Sequence, residues 1–83
     1  MIELYLYYEN TKGGKYMPQI SLEAVRVNAK MTQKEWAEAL GVSNGTVVNW
    51  EKGNTEPSVS QLRTMSQLSG IPMDFIFVPD NFN

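Results

Sequence analysis

No cysteine and no histidine occur among the 83 residues of this chain. Together these absences remove disulfides, thiolate nucleophiles, thiolate–imidazole zinc sites and imidazole acid–base chemistry. Carboxylates remain, but Glu35, Glu38 and Glu51 fall on helical patterns without the convergent polar groups of a pocket. No catalytic residue, metal ligand or cofactor is therefore assigned, and the chain reads as a non-enzyme. No apolar run approaches the roughly 18 residues of a membrane span. The start, Met1-Ile2-Glu3-Leu4-Tyr5-Leu6-Tyr7-Tyr8, is too short and carries an acid where a secretory signal carries positive charge. A cytoplasmic location is the expectation. Positive charge is scarce as well: seven Lys and Arg stand against nine Asp and Glu, a formal net of −2. Any nucleic-acid partner must then be held by a local cluster of cations and helix N-termini, not by a global field.

What is present is the composition of a folded domain, with 42% hydrophobic and 19% charged residues. The length allows one core, near the lower limit at which burial alone stabilises a fold. It leaves no room for a separate ligand domain, so no small-molecule effector is expected.

The first nineteen residues differ in texture from the rest. Ile2, Leu4, Leu6 and Tyr8 alternate with Glu3, Tyr5, Tyr7 and Glu9, the period of a β-strand. Asn10-Thr11-Lys12-Gly13-Gly14 reads as a turn, after which Lys15-Tyr16-Met17 returns as a short second strand before Pro18. A lone two-stranded hairpin is marginal in water. Two placements of this arm stay open, against the chain's own helices or paired with another copy. Met17 is also a candidate alternative start, which would make the arm dispensable.

From Ser21 the pattern becomes helical. Ser21 caps a helix carrying Leu22, Val25 and Ala29 that ends near Ala29 or Lys30. Thr32-Gln33-Lys34-Glu35 has the spacing of a capping box, and Trp36, Ala37 and Leu40 follow as an apolar face closed by Gly41. Ser43 caps a third helix from Asn44 to about Glu51, with Val47 and Trp50 inward and Gly53 at its end. Ser58 caps a fourth, carrying Val59, Leu62, Met65 and Leu68 and stopped by Gly70. Pro72 followed by Met73-Asp74-Phe75-Ile76-Phe77 predicts a short fifth helix ended by Pro79.

Thr32 to Glu51 works as a unit. Two short helices joined by Gly41-Val42-Ser43 match the connection that lets a second helix enter a DNA major groove. Asn44, Gly45, Thr46, Val48 and Asn49 are then its outward positions. Asparagine amides pair bidentately with adenine, and the Thr46 methyl or Val48 meets a thymine methyl. Gln33, in the first turn of the preceding helix, stands where a side-chain amide and a helix N-terminus meet a phosphate.

Thr32-Gln33-x-Glu35-x-Ala37-x-x-Leu40-Gly41-Val42-Ser43, followed by Thr46-Val47, Trp50-Glu51, Gly53 and Pro57, resembles the phage repressor/Cro-type (XRE-like) helix-turn-helix family over about residues 20 to 78. The resemblance implies an all-α, five-helix lambda-repressor-like domain, here with a short N-terminal β-strand or hairpin-like arm. It also implies a two-fold homodimer on double-stranded operator DNA. Carried over by position, Thr32, Gln33, Ser43, Asn44, Gly45, Thr46, Asn49, Lys52 and Asn54 are the DNA-binding residues, with Gln33, Lys52 and Asn54 on the phosphates. Arg26 and Glu51 match a family ion pair. The implied division is an arm at 1–19, the DNA-binding domain at 20–78 and a tail at 79–83. Dimerisation is placed either on Phe75, Ile76 and Phe77 or on the arm.

Departures from the family pattern carry information too. Gly45 puts no side chain at a position that often reads a base, the recognition helix lacks arginine, Trp36 replaces a usual leucine, and Lys30 stands where relatives have a left-handed glycine. The function implied is a phage or prophage transcriptional regulator. The alternative is a protein-interaction module, antitoxin-like or anti-repressor, whose helix-turn-helix is vestigial; the acidic balance, Gly45 and the missing arginine favour it.

Overall fold

Among the described residues, each α-helix begins at a hydroxyl side chain that has captured a backbone N–H three residues on. The computed structural model describes residues 18–79. Within them lie four α-helices: α1, Leu22–Asn28; α2, Gln33–Leu40; α3, Asn44–Lys52; and α4, Val59–Ser69. A single 3-10 turn, Met73–Phe75, follows. Ser21, Thr32, Ser43 and Ser58 are the four caps. Two of the caps are reciprocal boxes, with Glu35 and Gln61 returning a side-chain oxygen to the N–H of Thr32 and Ser58.

The helix ends are equally regular. Past α2 and α3, Gly41 and Gly53 turn left-handed, with φ of 71° and 82°. In each case the glycine N–H and the next N–H fold back onto the last turn: Gly41 to Glu38 and Val42 to Ala37, then Gly53 to Trp50 and Asn54 to Asn49. The same closure ends α1, but with a lysine in the left-handed position. Lys30 has φ 62° and donates to the Val27 carbonyl, while Met31 donates to that of Arg26. Lys30 therefore bears the steric cost that the two glycines avoid.

Val25, Trp36, Val47 and Met65, one from each helix, are almost wholly buried and meet at the centre. Leu22, Ala37, Trp50, Ile71 and Phe75 complete the core. Trp36, at 1% exposure, is the largest of these side chains. α2 packs on α3, while α4 lies across α1 and α2. The buried stripe of α4 differs from the sequence expectation: Val59 is 62% exposed and Leu68 40%, whereas Ser69 is buried. The inward line steps from Met65 to Ser69 by four residues, as a helix of 3.6 per turn allows, and leaves Leu68 to one side. Ser69 earns its buried place as a hydrogen-bonding residue, its hydroxyl accepting from the Ile71 N–H and its carbonyl accepting from the Asn28 amide.

The expected fifth helix is not formed. After one 3-10 turn the chain extends, and Ile76 pairs with Ile20 in a parallel bridge. Ile20 donates to the Phe75 carbonyl at 2.7 Å, and Phe77 donates to that of Ile20 at 2.8 Å. Bonds across to Ile20 occupy the backbone groups that a continuing helix would have used, and Pro79 lies too close to permit more than a turn or two. The described domain is thus four helices and a 3-10 turn. The N-terminal strand or hairpin expectation for residues 1–17 lies outside the described residues. Phe75 is in the core at 7% exposure, which removes it from the surface proposed for dimerisation; Phe77 is 46% exposed. No helix among the described residues is long and apolar enough to cross a membrane.

Candidate nucleic-acid interface

α3 is presented by its neighbours rather than wrapped by them. Val47 and Trp50 anchor it in the core, three residues apart on one face. Asn44, Gly45 and Asn49 are exposed, and Thr46 and Val48 half-buried along the rim. Space is open beside Gly45: a Cβ built there would approach nothing nearer than the Ser43 hydroxyl at 3.9 Å.

The N-terminal turn of α3 is pinned by two contacts. The Ser43 hydroxyl accepts from the Thr46 N–H at 3.1 Å and lies 2.9 Å from the Thr46 hydroxyl. Both polar groups are thus drawn back toward the cap. Thr32 is similarly committed, its hydroxyl accepting from the Glu35 N–H at 3.1 Å. The remaining first-turn amides of α2 and α3 project from their helix ends, where the dipole favours an anion.

Beneath this surface, Glu51 gathers two neighbours. Arg26 Nε donates to Glu51 Oε2 at 2.7 Å and Nη2 to Oε1 at 3.2 Å, a two-pronged bond between side chains 12% and 8% exposed. Arg26 Nη1 donates to the Met31 carbonyl at 3.0 Å. Glu23 lies at 3.9 Å on the solvent side. The hydrogen bonds to Glu51 raise the Arg26 guanidinium above its already high ordinary pKa; desolvation opposes this, and the charges of Glu51 and Glu23 add to the rise. Gln33 Nε2 also donates to Glu51 Oε1, at 3.0 Å. One carboxylate thereby ties the start of α2 and the end of α1 to the last turn of α3.

The structure therefore brings Arg26, Glu51 and Gln33 into one network, and leaves Asn44, Gly45 and Asn49 on the outer face. Lys52 and Asn54 are exposed at the end of α3, and Lys34 is exposed on α2. Among the described residues none of Lys30, Lys34, Lys52 and Arg63 has an ion-pair partner. Two links escaped the sequence reading. The Gln33–Glu51 bond spans eighteen residues and has no local signal. The other joins Asn54 Nδ2 to Asn49 Oδ1 at 3.2 Å. Its signal was available, because a glycine-terminated helix lays the residue after the glycine over the helix's last turn.

Four capped helices, with the third held outward by a glycine-turned second, define the helix-turn-helix class of domain. The chain belongs to the helix-turn-helix family of XRE/Cro-C1 type, whose model matches residues 22–76. It is also similar to a type II methyltransferase, M.SsoII, of Shigella sonnei, being 34% identical over 55 residues. That match takes in 63% of this chain and 14% of the methyltransferase. No solved structure matches the chain. DNA binding is what this family membership implies.

Proposed function

We propose that this protein is a sequence-specific transcriptional regulator of the repressor/Cro kind, of phage or prophage type, acting without catalysis in the cytoplasm. Two copies place their α3 helices in successive major grooves about 34 Å apart and occupy an operator. The observation that carries the reading is the two-sided character of α3: Val47 and Trp50 are buried, while Asn44, Gly45 and Asn49 are uncovered along a turn and a half. Asn44 and Asn49 read base edges. Lys52, Lys34 and the amides at the starts of α2 and α3 meet phosphates. With few cations engaged, affinity per subunit is modest and its salt dependence shallow.

A gel-shift series against promoter DNA adjoining the coding sequence tests this, with Asn44→Ala/Asn49→Ala as the control. Binding by the wild type and loss in the double variant, at unchanged melting temperature, is the expected result. The formal charge of −2 favours a second reading, a protein-interaction module. A protein partner that survives the double substitution, with no shift of any duplex at low salt, would replace the first reading by the second.

A further inference from the structure

The end of α3 brings the side chains of Asn49 and Asn54 together. Asn49 is the residue whose carbonyl closes the helix terminus: the Asn54 N–H donates to it at 2.9 Å, one residue past left-handed Gly53. That closure lays the Asn54 side chain over the last turn, where Nδ2 donates to Asn49 Oδ1 at 3.2 Å. Both asparagines are exposed, so their amides are otherwise open to solvent.

From this geometry we infer that Asn54 is a positioning residue that turns the Asn49 amide so that its NH2 faces the DNA and its oxygen faces the loop. The inference rests on the DNA-binding reading above and names its base chemistry. An asparagine free to rotate pairs bidentately with adenine, donating to N7 and accepting from N6–H. Here the bond from Asn54 takes one lone pair of the oxygen and turns it toward the loop, so that the amide's NH2, a pair of N–H donors, faces outward. Two donors suit a base edge made of acceptors. Guanine presents N7 and O6 in the major groove, whereas cytosine presents the N4 amine, a donor that Asn49 cannot satisfy. The chain thereby recovers guanine reading in a recognition helix that has no arginine.

Replacing Asn54 separates this role from a structural one. Asn54→Ala frees the amide and moves preference at the Asn49 position from guanine toward adenine. Asn54→Asp offers a carboxylate that accepts from Asn49 Nδ2, turns the Asn49 oxygen outward, and moves preference toward the amines of cytosine and adenine. The experiment selects duplexes from a randomised library with the full chain as wild type, Asn54→Ala, Asn54→Asp and Asn49→Ala. Asn49→Ala identifies the base pair that Asn49 reads. The expected result is an about tenfold change in the guanine-to-adenine ratio at that pair alone. A contact that merely supported the loop would change melting temperature or overall affinity and leave the ratio untouched. Duplex selection with the same base ratio in wild type, Asn54→Ala and Asn54→Asp overturns the inference and leaves DNA binding standing. Failure of the wild type to select any duplex at low salt overturns the DNA-binding reading and the inference with it.

Discussion

Arg26→Ala removes three donors at once from the partly buried corner where α1, α2 and α3 meet. The Nε–Oε2 bond at 2.7 Å, the Nη2–Oε1 bond at 3.2 Å and the Nη1 bond to the Met31 carbonyl at 3.0 Å all go. Glu51, whose side chain is 8% exposed, keeps the Gln33 amide but loses its counter-charge. Stranding a buried charge in this way costs about 3–5 kcal/mol. With a urea dependence of about 1 kcal/mol per molar, suited to a domain of this size, the melt midpoint falls by about 3 M or more. Because the pKa of Arg26 is raised, the stability it contributes is complete below the unfolded value and is lost only as pH rises through the folded one. The Arg26 contribution is therefore constant between about pH 6 and pH 9. Where Arg26→Ala is too unstable to measure, Arg26→Met/Glu51→Met serves, since removing both charges recovers at least about 2 kcal/mol of the loss. A wild-type-like midpoint for Arg26→Ala, within about 1 kcal/mol, would refute the reasoning.

Three further substitutions follow from the same geometry. Lys30→Gly relieves the left-handed strain at φ 62° and, after the added chain entropy of glycine, raises stability by about 0.5–1 kcal/mol in thermal or urea melts. Gly45→Ala meets only the Ser43 hydroxyl at 3.9 Å, and gains about 0.5–1 kcal/mol of helix propensity, a rise of several degrees in Tm; a lowered Tm would contradict the open space seen there. Trp36→Ala empties the largest buried site, at 1% exposure, and costs about 3–5 kcal/mol by the same melts; a cost below about 1 kcal/mol would mean that Trp36 is not part of the core.

Local physics explains which features were legible without a structure. Ser21, Thr32, Ser43 and Ser58 announce helix starts because a short hydroxyl satisfies an orphan N–H wherever it falls, and Gly41, Gly53 and Gly70 announce ends because they alone enter the left-handed region cheaply. The inward spacing of Val47 and Trp50 follows from helical period alone. What escaped depends on partners distant in sequence. Ile20 captures the Phe75 carbonyl and the Phe77 N–H, so Met73–Phe75 stays a single turn although its sequence favours a helix. The amide of Gln33 turns to Glu51, where an isolated helix start would have left it facing an anion. The exposure of Val59 and Leu68 depends on how α4 rolls against α1 and α2, which hydrophobic spacing constrains only to within one side chain.

The pairing of Ile20 with Ile76 makes the domain a nearly closed ring of chain. Neighbouring extended segments run about 5 Å apart, so the polypeptide enters and leaves at almost one point. Such a module can be spliced into a surface loop of a larger protein without stretching its host, or re-cut at another loop with its original ends joined. Separating those ends would tug first on the Ile20–Ile76 bridge and on Pro79, which packs beside Gly53 at the end of α3, so a strain on the exits would be felt at the helix proposed to face the DNA.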